Sequence, residues 1–141
     1  MSNYTTYEAG TWSDLGQHCF RHPPLEAPGK CFLSERVDSS GCEISLNRFE
    51  PGKGYPFLHR HQQQEEIYIV VSGSGEMLVD ESIIPLQEGS VVRIAPAGVR
   101  SLRASADGPI CFLCIQATEG TLTSRTIGDG SIVPGPVNWQ N

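Results

Sequence analysis

Two histidines and a carboxylate stand close together in "HRHQQQEEIYIVVSG", residues 59–73. His59 and His61 are two apart, so on an extended chain both imidazoles leave from the same face. Glu66 follows after the three glutamines 62–64. Two neutral imidazoles and one carboxylate on one wall make a facial donor set for Fe(II), Mn(II), Ni(II) or Zn(II). Such a set leaves coordination positions open for water or substrate. A lone histidine is usually surface or core filler, and a carboxylate beside two histidines arises by chance now and then. The spacing that continues to Gly73 argues for a built site.

The elements that must position these groups read as strands. No stretch shows convincing helical periodicity, and short apolar runs recur between Gly, Pro, Asp and Ser. The candidates are "KCFLSER", "CEISLNRF", "YPFLHRH", "EIYIVV", "GEMLVD", "SIIPL", "SVVRIA", "RSLRA" and "ICFLCIQ". In "CEISLNRF", Cys42, Ile44 and Leu46 share one face, and Glu43, Ser45 and Asn47 the other. Many short strands punctuated by 15 Gly and 10 Pro predict an all-β sandwich or barrel. After the glutamine turn, Glu66, Tyr68 and Val70 share a face, so an antiparallel neighbour can bring Glu66 beside the imidazoles. The core spans residues 29–117. Residues 1–28 read as an irregular, Pro-rich lead-in. Residues 118–141 read as a tail whose Ile132, Val133, Val137 and Trp139 are expected to dock on the body or on a partner subunit.

The chain of 141 residues fits one domain with a real core, and no internal repeat is visible. A net charge of -6 and a pI near 5.1 argue against nucleic acid and against an anionic membrane surface. No apolar run approaches the ~20 residues of a membrane span. "MSNYTTYEAG" has neither a basic nor an apolar leader region, so a cytoplasmic location is expected. The five cysteines, an odd number without framework spacing, predict reduced thiols. Cys111 and Cys114 form C-x-x-C, but within the strand "ICFLCIQ" they face opposite sides and share no ligand.

The pattern H-x-H, four residues, Glu, six residues, Gly resembles the first cupin motif, here His59, His61, Glu66 and Gly73 after the turn "PGKGYP". "GSVVRIAPAGVRSLRA", from Gly89 through Pro96 and Gly98, is similar to the second motif, G-x5-P-x-G-x2-H-x3-N. The resemblance covers about residues 40–117. It extends to small single-domain cupins without assigned activity that share "EIS-N", "H-H---EEIYI" and "GVR--R". It implies a cupin-type double-stranded β-helix, or jelly-roll, with one divalent metal ion in the lumen, commonly in a homodimer.

The second motif departs from its pattern. Its histidine ligand falls at position 100, which is Arg, and its asparagine at 104, which is Ala. Pro96 and Gly98 sit one place late, and aligning on them puts Ser101 at the ligand position. Both ends of the motif agree on Arg100. A guanidinium cannot ligate a metal. Three outcomes follow. In one, an anionic ligand gripped by Arg100 bridges it to a metal; in another, Arg100 pairs with Glu66 as a buried ion pair, without metal; in the third, it turns outward as a structural residue. The first ranks slightly ahead. If Arg100 faces the lumen, Arg103 faces out.

Other residues offer weaker roles. A tighter glutamine turn would make Glu65 the ligand, whereas the spacing to Gly73 selects Glu66. Tyr68 is the one lumen candidate for proton transfer, or else barrel filler. Gln64 offers a replacement oxygen, although turn glutamines are usually solvated. His18 or His22 could fold over the mouth and supply an imidazole, but both read better as surface residues. Met77 is expected to pack in the lumen. The function expected is a metal-dependent enzyme (dioxygenase, decarboxylase or isomerase) on a small carboxylate or phosphate, with Arg100 orienting the anion. The alternative is a non-catalytic small-ligand or sensing barrel, with or without metal.

Overall fold

The computed structural model describes residues 2–139. Its longest strands are β5, Gln64–Ser72, and β10, Ile110–Thr118, which pair antiparallel along most of their length. Alternation works as expected in β5: Glu66, Tyr68 and Val70 are all buried on one face. The other strands are β1 (Cys19–His22), β2 (Leu25–Pro28), β3 (Lys30–Phe32), β4 (Glu43–Phe49), β6 (Gly75–Val79), β7 (Ser82–Leu86), β8 (Val91–Ile94) and β9 (Arg100–Ala104). A five-stranded sheet in the order β3-β4-β10-β5-β8 faces a three-stranded sheet β7-β6-β9. This is the jelly-roll architecture expected, with the core of Phe49, Val70, Met77, Ile94, Leu102, Ile110 and Phe112 between the sheets. Pro85 sits in β7, an edge strand, where a missing N–H breaks no central ladder. Gly73 closes the turn after β5 at φ 81°, and a Cβ there would collide with the Pro109 carbonyl.

Four local features differ from expectation. The first is "YPFLHRH", which is not a regular strand. It touches β9 through two isolated bridges, Gly54 with Arg103 and His59 with Arg100. The histidine segment therefore borders the small sheet, while Glu66 lies on the large one. The triad is assembled across the lumen, not between neighbouring strands.

The second is "KCFLSER", whose strand ends at Phe32; Ser34–Val37 turns helically instead. The Glu43 carboxylate accepts from the Ser34 backbone N–H at 3.0 Å and so holds the start of that turn. The third is the N-terminal segment, which is not irregular. Trp12–Gln17 forms a 3-10 turn, and β1 and β2 make a hairpin that turns at Pro23 and Pro24. Proline suits a turn, because its φ is fixed and it needs no partner for an N–H. Phe20 of this hairpin packs edge-on against Phe32 at 4.8 Å, tying it to the large sheet.

The fourth is the tail. Residues 119–139 hold no strand. Ile132 is 97% exposed, and Val133, Trp139 and Val137 are exposed too, so this apolar set does not pack on the body of its own chain.

Candidate metal centre

β4 shows how the site is lined. Its alternation has the expected period, but Ser45 and Asn47 on the polar face are the fully buried ones, and Ile44 and Leu46 are only half-buried. A strand that turns polar side chains inward must give them partners. Here both accept from Lys30, which lines a cavity of about 990 Å³ reaching from the N-terminal hairpin to His59, His61 and Glu66.

At the inner end, three donors converge. His59 Nε2 stands 3.6 Å from Glu66 Oε1, and His61 Nε2 stands 3.3 Å from Glu66 Oε2. The candidate ligand atoms all lie within 4.8 Å of one another, the one such group among the described residues. Two donors each ~2.1 Å from one ion at tetrahedral or octahedral angles stand roughly 3 to 3.4 Å apart. The two histidine–glutamate distances are close to that. His61 Nε2 and His59 Nδ1 are buried without a hydrogen-bond partner, as a nitrogen reserved for another use would be. These residues fit a divalent ion.

The state of each donor also suits ligation. Burial would raise the Glu66 carboxyl, but contacts with His59, Tyr68 and Cys114, together with His61, overcome this and hold it at about 2. Burial pushes the His61 imidazole down, only partly offset by Glu66, which favours the neutral form that binds metals. Tyr68 donates to Glu66 Oε1 at 2.8 Å, and Cys114 Sγ to Glu66 Oε2 at 3.2 Å. Burial raises both groups, the thiol to about 12, so both keep their protons and act as donors. Tyr68 positions the carboxylate, and its hydroxyl is committed there.

Arg100 is fully buried and turned inward, which excludes an outward structural role. A pair of backbone hydrogen bonds with His59, at 3.2 and 3.0 Å, sets the two residues directly opposite, so their side chains share a face. Its Nη2 donates to the Ala95 carbonyl at 3.1 Å, and its Nε stands 3.5 Å from Glu66 Oε1. The guanidinium approaches Glu66 from outside the cavity lining. Ser101 faces the other way and donates to the Tyr55 carbonyl at 3.0 Å. Arg103 pairs with Glu76 at the surface at 2.6 Å, as expected from the alternation.

The remaining candidates separate clearly. Glu65 points outward and binds Arg93 at 2.7 Å. Gln64 lines the cavity but is not among the converging donors. His18 lies on the outer cavity wall with Nε2 2.8 Å from the Ala9 carbonyl, and His22 is exposed, so neither supplies an imidazole to the triad. Met77 is fully buried packing. Cys111 and Cys114 do face opposite sides: one meets Arg48, the other Glu66.

One functional residue escapes the sequence reading. Lys30, on β3, reaches into the cavity and donates to Asn47 Oδ1 at 2.9 Å, Tyr55 Oη at 3.1 Å and Ser45 Oγ at 3.2 Å. Burial lowers its pKa, opposed by the Glu66 and Glu43 carboxylates. The inward polar pair Ser45 and Asn47 was the available signal, since two buried polar side chains on one strand face require a donor or acceptor opposite.

Residues 45–116 match the Cupin domain family. A cupin protein from Bacteroides fragilis is 35% identical, with 95% of this chain and 100% of that chain covered, at a TM-score of 0.80. A predicted oxalate decarboxylase from Thermotoga maritima shares the fold at 20% identity, covering 67% of this chain and 82% of that one, with a TM-score of 0.57. A sugar phosphate isomerase from Silicibacter pomeroyi, also of the cupin superfamily, does so at 23% identity, 62% and 57% coverage and a TM-score of 0.55. No curated protein matches the chain. The double-stranded β-helix, the inward histidine and glutamate donors, and a family match over half the sequence agree: this chain is a small single-domain member of the cupin family.

Proposed function

We propose that His59, His61 and Glu66 hold one divalent ion (Fe, Mn, Ni or Zn) and that the cavity beside them takes a small carboxylate or phosphate molecule. The observation that carries this reading is the convergence of three donors at the inner end of an open cavity, with His61 Nε2 among them buried and without a hydrogen-bond partner. A divalent ion there supplies a Lewis acid for a ligand oxygen, the requirement shared by dioxygenase, decarboxylase and isomerase chemistry. The chain's own contribution is positional. Tyr68 and Cys114 fix both oxygens of Glu66, and the rings of Tyr55 and Phe57 wall the cavity beside His59. Elemental analysis of protein purified without chelator or affinity tag tests this. Near-stoichiometric metal that falls with His59→Ala supports it, and a trace content unchanged by that substitution overturns it.

One observation favours a second reading, a metal-free binding or sensing barrel. Arg100 Nε stands 3.5 Å from the same Glu66 oxygen that faces His59, so a fixed cation already serves this carboxylate. On assembly, we propose a homodimer in which a second copy covers the exposed apolar side chains of the tail. Light scattering of the full chain against one ending at Thr118 tests it: a dimer that becomes a monomer supports it, and equal masses overturn it.

A further inference from the structure

The outer half of the cavity carries a charge without a direct ion-pair partner. Lys30 has three ammonium donors and three acceptors, Asn47 Oδ1, Tyr55 Oη and Ser45 Oγ, all of them neutral groups. Among the described residues, no carboxylate lies within ion-pair distance of its Nζ, and Glu66 and Glu43 act on it only from farther away. The amide of Asn47 is fixed by its own Nδ2, which donates to the Ser45 carbonyl and hydroxyl at 3.1 and 3.0 Å. Its oxygen therefore has to face Lys30. The niche is built to hold a cation in place, and a half-buried cation requires an anion nearby.

Tyr55 shows where that anion goes. Its hydroxyl oxygen accepts from Lys30, so its own proton is directed elsewhere, and it meets no acceptor among the described residues. The Tyr55 ring also lies edge-on to His59, with centroids 6.2 Å apart, so Tyr55 links the two ends on one cavity wall, its hydroxyl meeting the ammonium and its ring the imidazole. We propose that Lys30 and Tyr55 form an anion subsite that seats the carboxylate of a small ligand, with the Tyr55 O–H donating to it and Lys30 supplying the charge. Resting on the metal reading above, a second oxygen of the same ligand then reaches the centre of His59, His61 and Glu66. The ligand class is a short oxyacid with a carboxylate at one end and an oxygen donor at the other. Arg100, expected from the sequence to hold this anion, serves Glu66 instead.

The test is NMR titration of sodium acetate and sodium malonate into the full chain, as wild type, Lys30→Met and Tyr55→Phe, each both stripped of metal and loaded with zinc. Urea unfolding first establishes that each variant is folded, and Tyr55→Phe, which removes one oxygen, keeps the test open if Lys30→Met is not. Acetate should bind the metal-free wild type and weaken by at least about tenfold in Lys30→Met, with a smaller loss in Tyr55→Phe, as for removal of a charge-assisted hydrogen bond. Equal acetate affinity in all three proteins, or none in any, overturns the subsite. Malonate should gain over acetate only with zinc present. If that gain is missing while acetate still depends on Lys30, the subsite stands and the metal reading falls.

Discussion

The two ends of the cavity hold their charges in opposite ways. At the inner end, Glu66 is served by Tyr68, Cys114 and Arg100, so its charge is compensated, yet nitrogens of His59 and His61 have no partner. At the outer end, every proton of Lys30 has a neutral acceptor, yet no carboxylate pairs with it directly, and Glu66 and Glu43 act on it only from farther away. Satisfied hydrogen bonds and compensated charge are separate requirements, and a buried site can meet either alone. The inner end lacks an acceptor of lone pairs, which a cation supplies. The outer end lacks a negative charge paired directly with Lys30, which an anion supplies. One ligand bound to a metal can meet both needs.

The largest effect should come from Glu66→Gln, which keeps the shape and removes the charge. It leaves Arg100 as a buried cation without compensation, at a cost of about 3–5 kcal/mol in urea unfolding. The gap between wild type and variant should depend on pH in one direction. Glu66 is held at about 2, below its ordinary 4.5, so its contribution is complete above pH 4.5 and is lost as the pH falls towards 2. A gap that stays constant between pH 6 and pH 3 would show that the charge is not what stabilises this end.

Arg100→Met probes the same balance from the other side and should have the next largest effect. Without metal, the buried Glu66 loses its fixed cation and the fold weakens. With zinc, the ion replaces the missing charge, so zinc affinity should rise by at least about tenfold and the stability gain on adding zinc should exceed that of the wild type. Weaker zinc binding in this variant would mean that Arg100 supports the metal through a bridging anion, and would restore the role suggested by its place in the second motif.

The two ends were also unequally readable in the sequence. His59, His61 and Glu66 are close in the chain and fall into a spaced pattern, and strand alternation places Glu66 and Tyr68 on one face. What spacing could not supply is that the histidines border β9 and Glu66 lies on β5, because that depends on which strands pair. The lysine end comes from β3, β4 and the 54–59 segment, with Lys30 and Tyr55 25 residues apart. No local pattern links them. The one local trace was β4, whose Ser45 and Asn47 turn inward against the usual hydrophobic rule, because the cavity and Lys30 lie on that side. The hairpin of β1 and β2 was hidden for a similar reason. Its prolines read as lead-in, while the packing of Phe20 on Phe32 that makes it the cavity rim is a tertiary fact.

The smallest stability effect, and the sharpest contrast with Glu66→Gln, should come from Lys30→Met. The ammonium makes three hydrogen bonds worth on the order of 1 kcal/mol each, but it has given up hydration without gaining an ion pair. These terms oppose one another, and methionine fills much of the same volume between Phe32 and Tyr55, so the net change at pH 7 should stay within about 1.5 kcal/mol. The alkaline limb tests the cause. Burial lowers the folded-state pKa of Lys30, so above that value and up to the ordinary 10.5 the unfolded chain binds the extra proton. Stability of the wild type relative to Lys30→Met should therefore rise as the pH climbs towards 10.5. A difference that instead falls with pH would mean that the folded state holds the ammonium more tightly than water does. The outer end would then already contain its counter-charge, and would have no vacancy for the carboxylate of a ligand.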